Sequence, residues 1–177
     1  IELFNRLNRG KIKLTESELI KALFILNMKD KNKEKMFAVS WDLMEKKFQE
    51  DSFWYYLSNE SEKETRIDLL FDIIKGKTSK SEEDHSYRAY QKDFDAAERE
   101  FSELWDEVNE TYNKLIQYYE DITLYNYAGY LTKIGKPVFE IISFIKIEER
   151  KQAEKWDRKE LIRALQAMIS KELNLTE

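Results

Sequence analysis

A cluster of amide and basic side chains stands just before the first predicted helix. It consists of Asn5, Arg6, Asn8, Arg9 and Lys11, with Gly10 among them. Arginine and lysine neutralise phosphate, and asparagine can hydrogen-bond phosphate or ribose. The helix that follows offers free N–H groups at its start. The cluster therefore predicts a nucleotide or phosphate contact at Asn5, Arg6, Asn8 and Arg9, and the alternative interpretation is a basic loop folded by an Asx turn.

The rest of the chain offers little for nucleophilic catalysis or for a transition metal. His85 is the single histidine, and the chain has no cysteine. A Ser–His–Asp set cannot be built around an isolated histidine, and a His-Glu-x-x-His zinc site needs more than one imidazole. We therefore predict no catalytic residue, no metal site and no cofactor within this chain. We expect His85 to lie in a solvated polar loop.

Acidic residues form two groups that could bind magnesium or carry out acid–base chemistry. One group is Asp93, Asp95, Glu98 and Glu100, and the other is Glu103, Asp106, Glu107 and Glu110. Both fall on the polar side of a long predicted helix. We therefore interpret them as a solvated helix face.

Aromatic residues are concentrated in two places. Residues 53–56 read Phe-Trp-Tyr-Tyr, and five tyrosines follow later, namely Tyr118, Tyr119, Tyr125, Tyr127 and Tyr130. Such residues can stack on nucleic-acid bases. At helical spacing they are more often part of the core, and the core is the interpretation we favour.

Charge is distributed unevenly along the chain, whose net charge is −5. Residues 1–36 hold nine Lys and Arg against five Asp and Glu, whereas residues 37–177 hold 21 against 30. A polyanion contact is therefore expected near the start of the chain. The lack of cysteine fits a reducing compartment, and the most apolar stretch, 138–147, is too short to span a bilayer. We expect a cytoplasmic protein without membrane contact.

Helical periodicity runs through most of the chain, which has only four glycines and one proline. Thr15 and Glu18 match a capping box, Gly76 fits a left-handed helix end, and Asp157 fits a helix start. The spacing over residues 94–119 belongs to one predicted helix of roughly 30 residues, from about residue 87 to residue 119. The expected fold is all-α, a multi-helix bundle of about eight helices with one long central helix.

Three stretches of the sequence together resemble one bacterial family. The first is residues 4–22, which read Phe-Asn-Arg-Leu-Asn-Arg-Gly-Lys-Ile-Lys-Leu-Thr-Glu-Ser-Glu-Leu-Ile-Lys-Ala. The second pairs residues 51–54, Asp-Ser-Phe-Trp, with residues 66–71, Arg-Ile-Asp-Leu-Leu-Phe, and the third is residues 124–131. They resemble the GmrSD restriction endonuclease N-terminal domain family, whose N-terminal part has a ParB-like fold.

The resemblance implies a division of the chain and a parent activity. Residues 1–28 would be the C-terminal end of a ParB-like domain with its following helix, and residues 29–177 a helical domain. The parent would be a nucleotide-dependent DNA endonuclease of bacterial defence, using a nucleoside triphosphate and Mg²⁺. The family's Asp-Gly-Gln-Gln-Arg signature and its His-Asn-His nuclease domain do not occur in this sequence. Because an apolar pattern is already present at residues 1–7, we expect residue 1 to be an internal position.

By matching position in the family, Asn5, Arg6, Asn8 and Arg9 would form part of a nucleotide or phosphate pocket. The lysine at position 11 departs from a family position that is often glycine. The function expected is a non-catalytic helical region that packs on a ParB-like domain and relays its state to a downstream nuclease domain or a partner chain. One alternative is a non-catalytic interaction module that binds a partner or forms a homodimer, with residues 87–119 as the self-association helix. Another is a helical DNA-binding domain.

Overall fold

The first described helix begins where its capping residues predict. The structure is a computed structural model, and it describes residues 14–58, 65–77, 80–82, 84–96 and 99–173. Thr15 and Glu18 form a capping box, in which Thr15 Oγ1 lies 3.3 Å from the Glu18 nitrogen and Glu18 Oε2 lies 2.8 Å from the Thr15 nitrogen. Asp157 and Glu160 start the last helix in the same way. Both predicted caps are confirmed.

The described residues form nine α-helices and contain no β-strand, which confirms the predicted all-α bundle. In chain order the helices are α1 (Glu16–Leu26), α2 (Glu34–Gln49), α3 (Asp51–Ser58), α4 (Asp68–Lys75), α5 (His85–Asp95), α6 (Phe101–Glu120), α7 (Ile122–Lys133), α8 (Val138–Gln152) and α9 (Arg158–Glu172). A short 3-10 turn, Lys31–Lys33, precedes α2. None of the helices in this described part is long and apolar enough to cross a membrane.

Helix α4 lies at the centre of the bundle. It contacts α1, α5, α6 and α8, and its apolar residues Leu69, Leu70, Phe71, Ile73 and Ile74 are all buried. Asp68, Asp72 and Lys75 form a narrow polar stripe along α4, and the wide apolar face that remains is stable only when other helices cover it. It ends at Gly76, whose φ of 66° is the left-handed conformation that glycine adopts without strain, as the sequence predicts.

The prediction of a single long helix from about residue 87 to residue 119 is wrong, because the helix is interrupted. Helix α5 ends at Asp95, and α6 begins only at Phe101. Phe94 and Phe101 both pack edge-on against Phe24, with ring centroids 5.3 and 5.6 Å away. The residues between them are alanine or charged, so no large apolar side chain anchors a continuous helix there. Helix α6, with 20 residues, is the longest of the described helices.

Most of the aromatic residues belong to the core, as predicted. Phe53, Trp54 and Tyr118 are fully buried, whereas Tyr55, Tyr125 and Tyr130 are exposed, against the prediction. Phe24 contacts the rings of Phe37, Tyr90, Phe94, Phe101 and Trp105. Edge-to-face aromatic pairs of this kind stabilise a core beyond their buried area.

His85 is not in a solvated loop. It is the first residue of α5 and is half-buried. Its ring Nε2 lies 3.4 Å from the Lys75 carbonyl oxygen at the end of α4. The sequence prediction fails because the polar residues around His85 begin a helix that packs on α4.

Candidate functional site

The residues predicted to contact phosphate, Asn5, Arg6, Asn8 and Arg9, lie outside the described residues. The structure does describe the helix to which they lead. Of the N–H groups at the start of α1, that of Ser17 donates to Asp68 Oδ1 at 3.0 Å and that of Glu18 to Thr15 Oγ1. These two groups are therefore occupied, and the expectation that they stand free for a phosphate is wrong.

The first turn of α1 is joined to α4 and α5 by a small set of polar contacts. We call this set the α1 junction, formed by Glu16, Ser17, Asp68, Lys77 and Tyr87. Glu16 accepts from Lys77 Nζ at 2.9 Å and from the Tyr87 backbone nitrogen at 3.0 Å. The Glu16 side chain is only 10% exposed. Charge-assisted hydrogen bonds shielded from water are among the stronger polar contacts in proteins, so the junction fixes α1 on the core.

Lys77 carries the positive charge of this junction. Burial opposes its protonation, but the hydrogen bond to Glu16 and the charge of Asp72, whose Oδ1 lies 3.5 Å away, outweigh that effect. The pKa of Lys77 is therefore raised above its ordinary value. The ammonium group is better stabilised here than in water, which identifies the contact as a stabilising ion pair.

Two stretches of the family resemblance meet near the start of α3. Arg66 donates to Asp51 Oδ1 at 2.8 Å and to the Gln49 carbonyl at 3.0 Å. Its guanidinium also lies 5.4 Å from the centre of the Trp54 ring. These contacts join α2, α3 and the segment before α4. Arg66, Asp51 and Trp54 therefore have a structural role here.

A wide groove lies between α6 and α8. Its volume is about 800 Å³. We call it the charged groove. Its lining includes Arg99, Glu107, Thr111, Lys114, Lys146, Glu149, Arg150 and Trp156, with the acidic side chains of Glu103, Asp106, Glu110 and Glu154 at its edge. The edge residues are exposed, whereas Glu107 and Lys146 on its floor are only 14% exposed each.

Glu107 is the centre of the groove floor. Its Oε2 accepts from Arg99 Nη1 at 2.8 Å, and its Oε1 accepts from Arg150 Nη2 at 2.5 Å. The Nζ atom of Lys146 lies 3.3 Å from Oε1 and donates to Thr111 Oγ1 at 2.6 Å. Three cations therefore surround one carboxylate.

The pKa values of Glu107 and Lys146 show how burial and neighbouring charges act on the groove floor. Burial opposes the ionisation of Glu107, yet Lys146, Arg99 and Arg150 together hold its pKa at about 2. Burial, the largest cause, acts with Arg150 and Lys114 to lower the pKa of Lys146 to about 8 against the opposing effect of Glu107. The three cations therefore outweigh burial at the Glu107 carboxylate, whereas burial dominates at the Lys146 ammonium.

A second ion pair lies along the same groove. Glu149 Oε1 accepts from Lys114 Nζ at 2.5 Å and from the Trp156 backbone nitrogen at 2.8 Å. The turn that brings Trp156 back to Glu149 passes through Ala153, whose φ of 54° is left-handed. Such a backbone conformation is uncommon for a residue with a Cβ. The pair is balanced, with one cation for one carboxylate.

Two buried tyrosine hydroxyls lie in the electrostatic field of the groove. Among the described residues, Tyr90 Oη and Tyr118 Oη are the buried side-chain polar atoms that have no hydrogen-bond partner. Burial raises the pKa of Tyr90, and Glu107 raises it further. Burial also raises the pKa of Tyr118, with a contribution from Glu149. Unpaired buried hydroxyls are uncommon.

The interpretation of Glu107 as part of a solvated face is wrong, although Glu103, Asp106 and Glu110 are exposed as predicted. Glu107 precedes the buried Val108 and lies one helical turn before Thr111, which is also buried. That spacing is the signal that could have indicated its position. The described residues contain no group of three or more His, Asp or Glu side chains placed to hold a metal ion.

Comparison with known families, curated proteins and solved structures finds no match for this chain.

Proposed function

We propose that this chain is a helical relay region of a restriction-type defence protein, and that it carries out no catalysis itself. It would pack on a ParB-like domain that handles a nucleotide and pass the state of that domain to a nuclease domain or a partner chain. The proposal is supported by the resemblance of residues 4–22, 51–54, 66–71 and 124–131 to the GmrSD family.

The α1 junction is the observation that carries this proposal. The Asn and Arg cluster at residues 5–9 leads within a few residues to Thr15 and α1. Glu16 and Ser17 connect α1 to α4 and α5, and α4 in turn contacts α6 and α8. A displacement of the N-terminal segment on nucleotide binding would therefore be transmitted through α1 to the central helix α4. Closely packed helices respond by shifting as units rather than by deforming gradually.

Two features of the chain bear on the alternative functions. Leu104, Val108 and Leu115, which form the near-heptad stripe of α6, are fully buried in the chain's own core, so this stripe is not available for a homodimer. The residues from 37 onward carry an acidic excess, which disfavours binding of a DNA backbone by charge. The relay is therefore the function we put forward.

The experiment uses the parent protein that contains the ParB-like domain and compares two variants. Glu16→Gln weakens the ion pair with Lys77 and leaves the side-chain shape. It should preserve nucleotide affinity within about twofold and reduce nucleotide-stimulated DNA cleavage by about fivefold or more, a coupling loss in the usual range. The control, Asp42→Asn, removes an ion pair with Lys21 at a side chain that is 68% exposed and should leave both quantities unchanged.

Two results would count against the relay. One is an unchanged cleavage response in Glu16→Gln together with unchanged nucleotide affinity. The other is nucleotide hydrolysis or DNA cleavage by residues 1–177 alone. A first check is whether the coding region upstream of Ile1 contains the family's Asp-Gly-Gln-Gln-Arg signature.

A further inference from the structure

The floor of the charged groove holds more positive charge than it neutralises. Arg99, Lys146 and Arg150 face the single carboxylate of Glu107. Lys114 adds nothing to this imbalance because it is paired with Glu149. Of these three cations only Lys146, at 14% exposure, is largely removed from water, where a cation is unfavourable unless an anion compensates it; Arg99 and Arg150 are 36% and 54% exposed and can be reached by a ligand from solvent. The three cations around Glu107 leave an excess charge of about two, which is the charge of a phosphate monoester dianion.

Hydrogen-bond donors for such an anion are present on the same side chains. Arg150 makes both of its contacts with the described residues through Nη2, which donates to Glu107 and, at 3.2 Å, to the Ile74 carbonyl. Its Nε and Nη1 donors remain for a ligand. Arg99 donates to Glu107 through Nη1 and, at 3.5 Å, to the Glu103 carbonyl through Nη2. A guanidinium carries five N–H donors in a planar fork that matches the oxygens of phosphate.

The acidic edge of the groove restricts the size of the anion. Four exposed carboxylates border the floor, namely Glu103, Asp106, Glu110 and Glu154. Over the whole lining six carboxylates stand against five cations, so the positive excess is confined to the floor. An extended polyanion such as DNA would have to pass the acidic edge, whereas a small anion on the floor would lie beside the three cations. The volume of about 800 Å³ leaves room for an organic group beside the phosphate.

We propose that the charged groove is a binding site for the dianionic phosphate group of a small molecule, with Arg99, Lys146 and Arg150 as its ligands. The organic part of an ester would extend toward the half-buried Trp156 in the segment between α8 and α9. This proposal uses none of the residues 5–9 and does not depend on the relay function. Binding would fill the site and balance the charge of its floor.

The experiment titrates the chain with inorganic phosphate and, separately, with phenyl phosphate. Binding is followed by calorimetry near neutral pH, with the ionic strength held constant by sodium chloride because surface charge effects are screened by salt. The unmodified chain should bind one phosphate per chain in a saturable manner. Tighter binding of the ester would identify an organic phosphate as the ligand class, and equal affinity would identify free phosphate.

Three variants locate the site. Arg99→Gln and Arg150→Gln should each weaken phosphate binding at least about tenfold, because each removes a charge-assisted contact. Arg150→Lys keeps the charge without the fork and should show an intermediate loss. The matched control is Lys155→Gln, which removes a rim cation that is 78% exposed and pairs with Glu110; it should change the affinity less than about twofold.

Thermal unfolding and near-ultraviolet circular dichroism establish that each variant is folded before its titration is interpreted. The absence of saturable phosphate binding to the unmodified chain would overturn the proposal. So would equal affinities in the unmodified chain, Arg99→Gln and Arg150→Gln, or a loss in Lys155→Gln as large as theirs.

Discussion

Replacing Lys146 by methionine should stabilise the chain at neutral pH, although it removes a residue that lies beside a carboxylate. The pKa of Lys146 falls from its ordinary value of 10.5 to about 8. At about 1.4 kcal/mol for each pKa unit, protonation of this amine is less favourable in the folded chain than in the unfolded chain by about 3 kcal/mol. Methionine keeps most of the length of the side chain and removes the charge.

Part of this gain is offset by the lost contact between Lys146 Nζ and Thr111 Oγ1. A hydrogen bond to a charged group contributes about 1.5–3 kcal/mol. The Thr111 hydroxyl retains its bond to the Glu107 carbonyl at 2.8 Å, so the loss should fall at the lower end of that range. We therefore expect the free energy of unfolding of Lys146→Met to exceed that of the unmodified chain by about 1–2 kcal/mol.

Lys114→Met is the matched control for this prediction. Lys114 pairs with Glu149 alone, at 2.5 Å and with a side-chain exposure of 20%. Its removal leaves a largely buried carboxylate without its cation, and we expect a loss of about 1–2 kcal/mol in unfolding free energy. Urea denaturation at pH 7 measures both variants, because the midpoint and slope of the transition give the unfolding free energy. A Lys146→Met chain destabilised as much as Lys114→Met would refute the reasoning.

The remaining predictions concern pH and the aromatic core. Between pH 8 and about 9.5 the unfolded state holds more protons on Lys146 than the folded state does, so the unfolding free energy of the unmodified chain should rise with pH; urea titrations should find this rise absent in Lys146→Met. Glu107, with a pKa of about 2 in the folded chain against an ordinary 4.5, stabilises the fold above pH 4.5 and loses this effect as pH falls toward 2. Glu107→Gln should therefore lower the unfolding free energy at pH 7 by about 3 kcal/mol. It should also reduce the fall of the unfolding free energy between pH 4.5 and 2, and an unchanged fall in this variant would contradict that role. Phe24→Ala should lower the unfolding free energy by about 3–5 kcal/mol, because its ring is fully buried against five others; a change below about 1 kcal/mol in thermal or urea denaturation would place Phe24 outside the core.

Local sequence signals predicted the helix boundaries well in this chain. The capping boxes of Thr15 and Asp157 satisfy N–H groups within their own first turns, and the left-handed end at Gly76 depends on the backbone of that residue. These features involve contacts over a few residues. They can therefore be recognised without knowledge of the tertiary fold.

The break between α5 and α6 could not be predicted in the same way. Phe94 and Phe101 are seven residues apart, which is close to two helical turns, so the apolar pattern continues in phase across the break. Both rings pack on Phe24 of α1, a helix that is distant in sequence from α5 and α6. This contact cannot be read from the local pattern. The periodicity of apolar residues shows which side chains share one face of a helix, but it does not show whether the helix backbone is continuous.

The charged groove illustrates the same limit for the candidate site. Glu107 has the sequence neighbours of an exposed helix face, and its partners Lys146 and Arg150 lie about forty positions later. These charges come together because α6 and α8 both pack on α4. The predicted contact residues Asn5, Arg6, Asn8 and Arg9 lie outside the described residues, and their role stays a prediction.

The pKa of the Lys146 side chain, measured by NMR of the chain with isotopically labelled lysine, tests most directly whether the groove floor carries unbalanced positive charge. Without added anion the pKa should be about 8. Saturation with phosphate should raise it, because a bound dianion stabilises the ammonium group. A pKa at or above the ordinary lysine value in the absence of phosphate, or one that phosphate leaves unchanged, would contradict the presence of an anion site on this floor.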